Sequence, residues 1–199
     1  MIHVVAQPEP ASFDEKVRQK GIAWLREKNI PLDQPLPPKA KLEPYWQDCL
    51  DDMHKSYNGC CAYLAIFFER VTGGGTVDHF VAKSKHAGLA YEWSNYRLAC
   101  SRMNSRKGVY DDVLDPFEVE TGWFRLEFGT GHIFPNPHLS DEQQEAVQVT
   151  IDRLGLDDAR NRDMRARHYQ DYRDGFYTAD FLKRQSPFVW SEADRQGLL

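Results

Sequence analysis

A run of prolines near the N-terminus sets the first constraint on how this chain folds. Residues 31–44 hold five of its eleven prolines. Proline disfavours a helical conformation at the residue before it, so a helix that precedes this run has to end near Asn29. We expect residues 31–44 to form an extended connector rather than a flexible one. The sequence thus predicts an N-terminal helix and connector over residues 1–42 and a larger domain over residues 43–199.

The composition is that of a globular chain with its own core. Of the 199 residues, 41% are hydrophobic and 28% are charged, which excludes a disordered or collagen-like chain. No apolar run approaches the roughly 18–20 residues that cross a bilayer, so no membrane association is expected. Residues 1–10 lack the apolar stretch of a signal peptide, and the four cysteines therefore suggest a reducing compartment. We expect a cytoplasmic protein.

Helical and strand patterns alternate along the larger domain. Apolar residues at helical spacing predict a second helix over about residues 44–58, with its apolar stripe in the core. Short runs of β-type residues predict strands over 76–82 and 95–99. Ser101 is placed to cap a helix that follows the second strand. A glycine-containing loop between two further apolar runs predicts a hairpin over residues 123–134.

Two capping signals mark the starts of other helices. Ser12 and Glu15 fit a capping box at the beginning of the first helix. Ser140 and Gln143 fit a second box, and the helix that they begin is predicted to end at Gly155. These signals, with the strands, predict a mixed class in which helices predominate.

The charge of the chain is unevenly distributed. The net charge is −5, yet residues 76–110 carry a net charge of +4 and residues 111–150 carry −8. A local positive patch can hold a polyanion even when the whole chain is anionic. The basic stretch therefore suggests nucleic acid as a partner, although a solvated surface run has the same charge count. The acidic stretch is a candidate surface for a basic protein partner.

Several residues of the basic stretch could together form a catalytic site. Asp78 and His79 are adjacent on the first predicted strand, and Asn104 falls in the first turn of the helix that follows the second. Adjacent side chains on a strand point to opposite faces unless the backbone bends. Carboxylate and amide oxygens suit Mg²⁺ or Mn²⁺, and a neutral histidine beside them can take a proton from water. Such a group suits the hydrolysis of a phosphodiester.

The order of these residues resembles that of the HNH endonucleases. Their signature is Asp-His, then Asn, then Asn or His on a helix, and here it reads Asp78-His79, Asn95 and Asn104 within 27 residues. The longer patterns Asp-His-Phe-x-x-Lys-Ser and Leu-Ala-Tyr-x-Trp-x-Asn are similar to one subgroup of that family. The subgroup includes the nuclease subunits of Septu-type and retron-associated anti-phage systems, which work with an ATPase partner.

The resemblance implies a fold and a catalytic centre. The fold is α+β, with a ββα-metal core at about residues 76–110 inside a mostly helical single domain whose C-terminal region covers about residues 140–199. His79 would be the general base that activates the attacking water. Asp78 and Asn104 would hold one divalent ion, Mg²⁺ or Mn²⁺.

The resemblance also implies supporting residues. Asn95 would form hydrogen bonds across the loop after His79 and fix the orientation of the imidazole. Lys83, Arg106 and Lys107 would contact phosphates of the nucleic acid. The expected products carry a 5′ phosphate and a 3′ hydroxyl.

Many HNH proteins hold a structural zinc with two Cys-x-x-Cys pairs, and this chain departs from that pattern. The matching positions read Cys61 and Leu64 in the first pair, and Cys100 and Met103 in the second. Two thiols do not complete a tetrahedral zinc site. We therefore expect no structural zinc and expect Leu64 and Met103 to pack in place of ligands. Cys60 and a histidine leave open a site with four ligands.

The leading hypothesis is a metal-dependent HNH endonuclease that acts on DNA as the effector of a bacterial anti-phage defence system. The motif does not select the sugar, so an RNA nuclease that cuts tRNA at the same site remains an alternative. A catalytically silent HNH-like binding subunit is a second alternative. The first helix and its connector are, with the acidic stretch, candidate contact surfaces for the ATPase partner.

Overall fold

The computed structural model describes residues 1–199, with seven α-helices and two small antiparallel sheets. The predicted α+β class with a helical majority is confirmed. None of the helices has the length and apolar character that a membrane span requires. The chain divides into two compact units, a central unit (residues 6–59 and 69–111) and a C-terminal unit (residues 1–5, 60–68 and 112–199).

The central unit begins with two helical segments. Helix α1 spans Gln19–Glu27 and follows a π-helical turn over Asp14–Arg18. Helix α2 spans Leu50–Ser56 and follows a 3₁₀ turn over Tyr45–Cys49. Both predicted helices are confirmed, and α1 ends just before Asn29 because that residue adopts a left-handed conformation.

The predicted capping box at the first helix is wrong. Phe13 occupies the cap position of the π-helical turn, and no side chain caps it. The hydroxyl of Ser12 instead donates to Asp52 Oδ2 at 3.4 Å. A local signal is outweighed here by a contact with a residue forty positions away.

The centre of this unit is a strand pair with a helix directly after it. Strand β1 (Gly75–His79) pairs antiparallel with β2 (Tyr96–Cys100), so that Asp78 lies opposite Arg97. Helix α3 (Ser101–Lys107) follows β2 without a loop and packs on both strands. The arrangement therefore brings the end of β1 and the first turns of α3 together.

Ser101 does not cap this helix. It is the first residue of α3, and its hydroxyl donates to the carbonyl oxygen of Gly74 at 3.0 Å. Its backbone N–H donates to the same oxygen at 2.7 Å. Ser101 thus ties the start of the helix to the start of the strand pair, which is why its side chain is not available as a cap.

Gly21 sets the distance between α1 and the aromatic residues behind the strand pair. A Cβ at this position would lie 2.1 Å from Cγ of the buried Tyr91 ring. We expect Gly21→Ala to lower the free energy of unfolding by about 1–3 kcal/mol, because overpacking outweighs the gain in helix propensity. Urea denaturation measures this change. Gly74→Ala is the matched control, since a Cβ there meets only Thr72 Oγ1 at 3.6 Å; equal stability of the two variants would contradict this packing.

The C-terminal unit has a hairpin followed by four helices. The predicted hairpin is confirmed, and so is the capping box of Ser140 and Gln143, whose helix ends at Gly155 in the left-handed conformation. The elements are β3 (Phe124–Leu126), β4 (Ile133–Pro135), α4 (Asp141–Leu154), α5 (Ala159–Arg173), α6 (Ala179–Gln185) and α7 (Pro187–Arg195).

Candidate active site

A cavity of about 440 Å³ in the central unit is lined by four of the residues that the sequence singled out, Asp78, His79, Lys83 and Asn104. Asp78 and His79 come from the end of β1, and Asn104 comes from α3. Lys83 from the following loop and Trp46 from the 3₁₀ turn before α2 line the same cavity. A carboxylate, an imidazole, an amide and a cation therefore share one space.

Asp78 and His79 reach the same cavity although they are neighbours in the sequence. Strict alternation along a strand would send their side chains to opposite faces. His79 is the last residue of β1, so the backbone leaves the strand geometry at this point. Both residues are buried, at 2% and 7% exposure. The end of the strand is what allows both residues to line one cavity.

A backbone carbonyl fixes the tautomer of His79. Its Nε2 lies 2.9 Å from the carbonyl oxygen of Ala90. A carbonyl oxygen only accepts, so in the neutral ring Nε2 carries the proton and Nδ1 carries the lone pair. The same oxygen accepts a hydrogen bond from the Tyr96 hydroxyl at 2.7 Å. The imidazole is thus held with Nδ1 as the proton acceptor.

The surroundings of His79 keep it neutral. Burial lowers the pKa of His79 to about 4, and the nearby Lys83 ammonium contributes further to that decrease. The rings of Trp46 and Tyr96 pack edge-on against the imidazole, with centroid distances of 4.9 and 5.2 Å. Burial also raises the pKa of Tyr96, so its hydroxyl remains a donor at neutral pH. The imidazole is therefore neutral at neutral pH.

Asn95 closes the loop that follows His79. Its Oδ1 accepts from the Val81 N–H at 2.7 Å, and its Nδ2 donates to the carbonyl oxygens of Val81 and Leu89, both at 3.0 Å. Leu89 precedes Ala90, whose carbonyl orients His79. The predicted hydrogen bonds across this loop are present, and they fix the carbonyl on which the tautomer of His79 depends.

Removing the Asn95 side chain should lower the stability of the protein and disturb the orientation of the His79 imidazole. We expect Asn95→Ala to lower the free energy of unfolding by about 1–3 kcal/mol, because buried backbone groups lose their partners. The NMR resonances of the His79 ring should shift or broaden as the loop loosens. Asn136→Ala is the control, because it removes a similar bond to the Gly122 carbonyl and leaves His79 alone. Unchanged His79 resonances in Asn95→Ala would show that the hydrogen bonds of Asn95 do not position the ring.

Asn104 is oriented by its amide nitrogen. Nδ2 donates to Thr76 Oγ1 at 3.0 Å and to the Val77 carbonyl oxygen at 3.3 Å. The Val77 carbonyl oxygen only accepts, so it settles which end of the amide is nitrogen, and Oδ1 is the end available to a cation. Together with the Asp78 carboxylate, it makes a pair of hard oxygen donors. Such a pair fits Mg²⁺ or Mn²⁺.

The two oxygens would not fill a metal shell alone. No group of three or more His, Cys, Asp or Glu side chains that could hold a metal ion is found in the chain. Mg²⁺ usually keeps several waters and binds through one or two carboxylates plus phosphate oxygens. The donor set of Asp78 and Asn104 therefore suits an ion that is shared with a phosphate substrate.

The three predicted phosphate contacts differ in what they already bind. Lys83 is exposed, and its ammonium lies 4.7 Å from the centre of the Trp46 ring, with no hydrogen bond or ion pair to the protein. Lys107 is fully buried and donates to the carbonyl oxygens of His79, at 3.3 Å, and Phe80. Its ammonium is thus turned inward and joins α3 to the end of β1. Arg106 is half-buried on α3.

The two pairs of positions that were compared with the Cys-x-x-Cys pairs of HNH proteins lie in different units. Cys61 and Leu64 belong to the C-terminal unit, whereas Cys100 and Met103 belong to the central unit. Leu64 and Met103 are buried, as predicted, and all four cysteines are free thiols. Burial raises the pKa of Cys60 to about 11, which disfavours the thiolate that a metal needs.

We expect protein purified without a chelator to contain far less than one zinc ion per chain. The reason is that only two of the four positions at which many HNH proteins carry zinc-binding cysteines hold a thiol here, and the other two hold buried apolar side chains. Elemental analysis by mass spectrometry measures the zinc content. About one zinc per chain would contradict this prediction and would require ligands that the family pattern does not include.

Two residues of the site were missed by the sequence reasoning. Trp46 belongs to an apolar helical stripe that is typical of core packing, and Tyr96 is an ordinary strand aromatic. Only the fold brings the Trp46 ring and the Tyr96 hydroxyl to the His79 environment. The pattern Leu-Ala-Tyr-x-Trp-x-Asn-Tyr places Tyr96 directly after Asn95, and this adjacency was the one available signal.

Comparison with known proteins adds no family assignment. No family model matches the chain, and no curated protein matches it. The interpretation of the site consequently depends on its own geometry and on the motif in the sequence.

Proposed function

We propose that this protein is a metal-dependent HNH endonuclease that hydrolyses phosphodiester bonds, with DNA as the substrate rather than RNA. The observation that carries the proposal is one cavity lined by a neutral His79, the Asp78 carboxylate and the Asn104 amide. We assign β1, β2 and α3 to the ββα-metal core of that family. The antiparallel pairing and the helix that directly follows it support this assignment.

His79 is the general base of the proposed reaction. Its Nε2 is occupied by the Ala90 carbonyl, so Nδ1 is the atom that takes a proton from the attacking water. Because the ring is neutral before the reaction, this step needs no prior loss of a proton. The Tyr96 hydroxyl and the Trp46 ring hold the imidazole in place while it accepts that proton.

Asp78 and Asn104 are the residues that would hold a divalent ion. When bound, Mg²⁺ or Mn²⁺ supplies polarisation of the scissile phosphate and offsets charge on the leaving 3′ oxygen. Lys107 holds the ends of β1 and α3 together and so preserves the spacing between the two oxygen donors. Lys83 is the cation best placed to contact a phosphate, since its ammonium is not paired within the protein.

A cleavage assay tests this function. Plasmid, single-stranded DNA and tRNA are incubated with the protein and Mg²⁺ or Mn²⁺, and wild type is compared with His79→Ala. His138→Ala is the matched control, because His138 is an exposed histidine of the C-terminal unit. We expect wild type and His138→Ala to cleave DNA, and we expect His79→Ala not to cleave it. Cleavage of tRNA alone would select the RNA alternative, and no cleavage of any substrate would select the binding subunit. Equal products from wild type and His79→Ala would contradict the catalytic role of His79.

We extend the proposal to the biological role, as the effector subunit of an anti-phage system that acts with an ATPase. The motif patterns around Asn95 support this, and the acidic residues 111–150 offer a contact surface for a basic partner. Deleting residues 1–42 is a poor test, because Phe13 and Leu25 are fully buried in the central unit. Charge reversal of the exposed Glu142 should instead weaken co-purification with an ATPase encoded beside this gene.

A further inference from the structure

Trp46 is the one aromatic residue that contacts both the proposed base and the cavity's unpaired cation. Its ring stands at 90° to the imidazole of His79, with the ring centres 4.9 Å apart. The ammonium of Lys83 lies 4.7 Å from the centre of the Trp46 ring. Trp46 comes from the 3₁₀ turn before α2, more than thirty residues before either partner. Its contacts therefore depend on the tertiary fold.

Lys83 differs from the other lysines of the basic stretch. Lys85 forms an ion pair with Asp111, and Lys107 donates to two backbone carbonyls. Lys83 makes neither kind of bond, and its ammonium lies on the Trp46 ring within the electrostatic attraction of the Asp78 carboxylate. A cation on the face of an indole ring is attracted by the negative face of the ring, and the contact leaves free those N–H donors that do not face the ring. Those donors are available to an anionic ligand.

We propose that Trp46 is a positioning residue that holds the Lys83 ammonium at the cavity for a phosphate of the nucleic-acid substrate next to His79. This inference rests on the proposed function. Without the ring, the lysine side chain would sample many rotamers, and its contact with phosphate would be lost for most of the time. Trp46 would then contribute to substrate binding through Lys83 and not through a contact of its own.

A double-mutant cycle tests this coupling without any cleavage. A fluorescein-labelled DNA duplex is titrated with wild type, Lys83→Met, Trp46→Leu and the double variant in EDTA, over a range of salt concentrations. Loss of one phosphate contact reduces the slope of log Kd against log salt by about one. We expect Lys83→Met and Trp46→Leu to reduce the slope by similar amounts, and we expect the double variant to match Lys83→Met.

The C-terminal unit provides a matched control pair. Lys183 lies 4.2 Å from the centre of the Trp190 ring, and Trp190 is half-buried like Trp46. Lys183→Met and Trp190→Leu should therefore leave the salt slope unchanged. Trp46→Phe keeps a ring under the ammonium and should retain most of the wild-type slope. This conservative variant separates positioning from folding if Trp46→Leu proves unstable.

The outcomes separate this inference from the nuclease proposal. Additive effects of Lys83→Met and Trp46→Leu on the salt slope would overturn the role of Trp46, even if the protein cleaves DNA. A salt slope that neither Trp46→Phe nor Trp46→Leu changes would overturn it too. A wild-type protein that does not bind the duplex would overturn it as well. A non-additive cycle would support it even if cleavage is absent, in which case only the catalytic proposal fails.

Discussion

Replacing His79 with alanine should reduce the cleavage rate by at least about 10²–10⁴-fold, the usual contribution of a general base. The physical reason is specific to this site. Nδ1 is the acceptor because Nε2 donates to the Ala90 carbonyl, and alanine offers no substitute. Single-turnover cleavage at saturating protein measures the chemical step without interference from product release.

The size of this effect depends on whether His79→Ala keeps the cavity intact. The imidazole is packed by Trp46 and Tyr96, so its removal leaves a void as well as a missing base. His79→Gln fills more of that void and tests the base separately. Both variants should lose activity while duplex binding in EDTA stays near wild type. Retention of more than a tenth of the wild-type rate by both would contradict a catalytic role.

Replacing Asp78 with asparagine should abolish binding of Mn²⁺ and lower cleavage to the level seen with EDTA. Asp78 is the one carboxylate among the residues that line the cavity, so the substitution removes the only negative charge that a divalent ion meets there. The asparagine keeps the size of the side chain and so limits the structural change. Titration calorimetry with Mn²⁺ measures binding without reference to activity.

Asp115→Asn is the matched control for this experiment. Asp115 is also a buried aspartate, and its Oδ1 accepts from the Phe117 N–H at 3.0 Å in the C-terminal unit. The control should lower stability and leave Mn²⁺ binding unchanged. Asn104→Ala should weaken Mn²⁺ binding less than Asp78→Asn, because a neutral oxygen is lost and not a charge. Mn²⁺ binding by Asp78→Asn at wild-type affinity would contradict the proposed ligands.

Parts of the fold could be predicted because local chemistry decided them. Ser140 and Gln143 satisfy each other's backbone groups within one turn, and Gly155 adopts a left-handed conformation at little cost, so local chemistry sets both ends of α4. The strand pair and α3 followed from short β-type runs and a helical segment. The cap at Ser12 failed because its hydroxyl is drawn to Asp52 across the fold.

In the candidate site, too, some features could be predicted from the sequence and others depend on the tertiary fold. The hydrogen bonds of Asn95 across the loop after His79 could be predicted because the resemblance to the HNH endonucleases implies them. Lys107 was expected at a phosphate because the resemblance to the HNH endonucleases implies that contact. Its burial against the His79 and Phe80 carbonyls is a tertiary effect that no spacing reveals. The position of Trp46 at the site could not be predicted either, because an aromatic residue in an apolar stripe is typical of the core.

The central claim is that Asp78 and Asn104 share one divalent ion beside His79. A crystal soaked in Mn²⁺ and measured for anomalous scattering tests it most directly. We predict one anomalous peak in the cavity, about 2–2.5 Å from an Asp78 carboxylate oxygen and from Asn104 Oδ1. A map with no peak between these two residues, or with manganese bound only elsewhere on the chain, would contradict the claim.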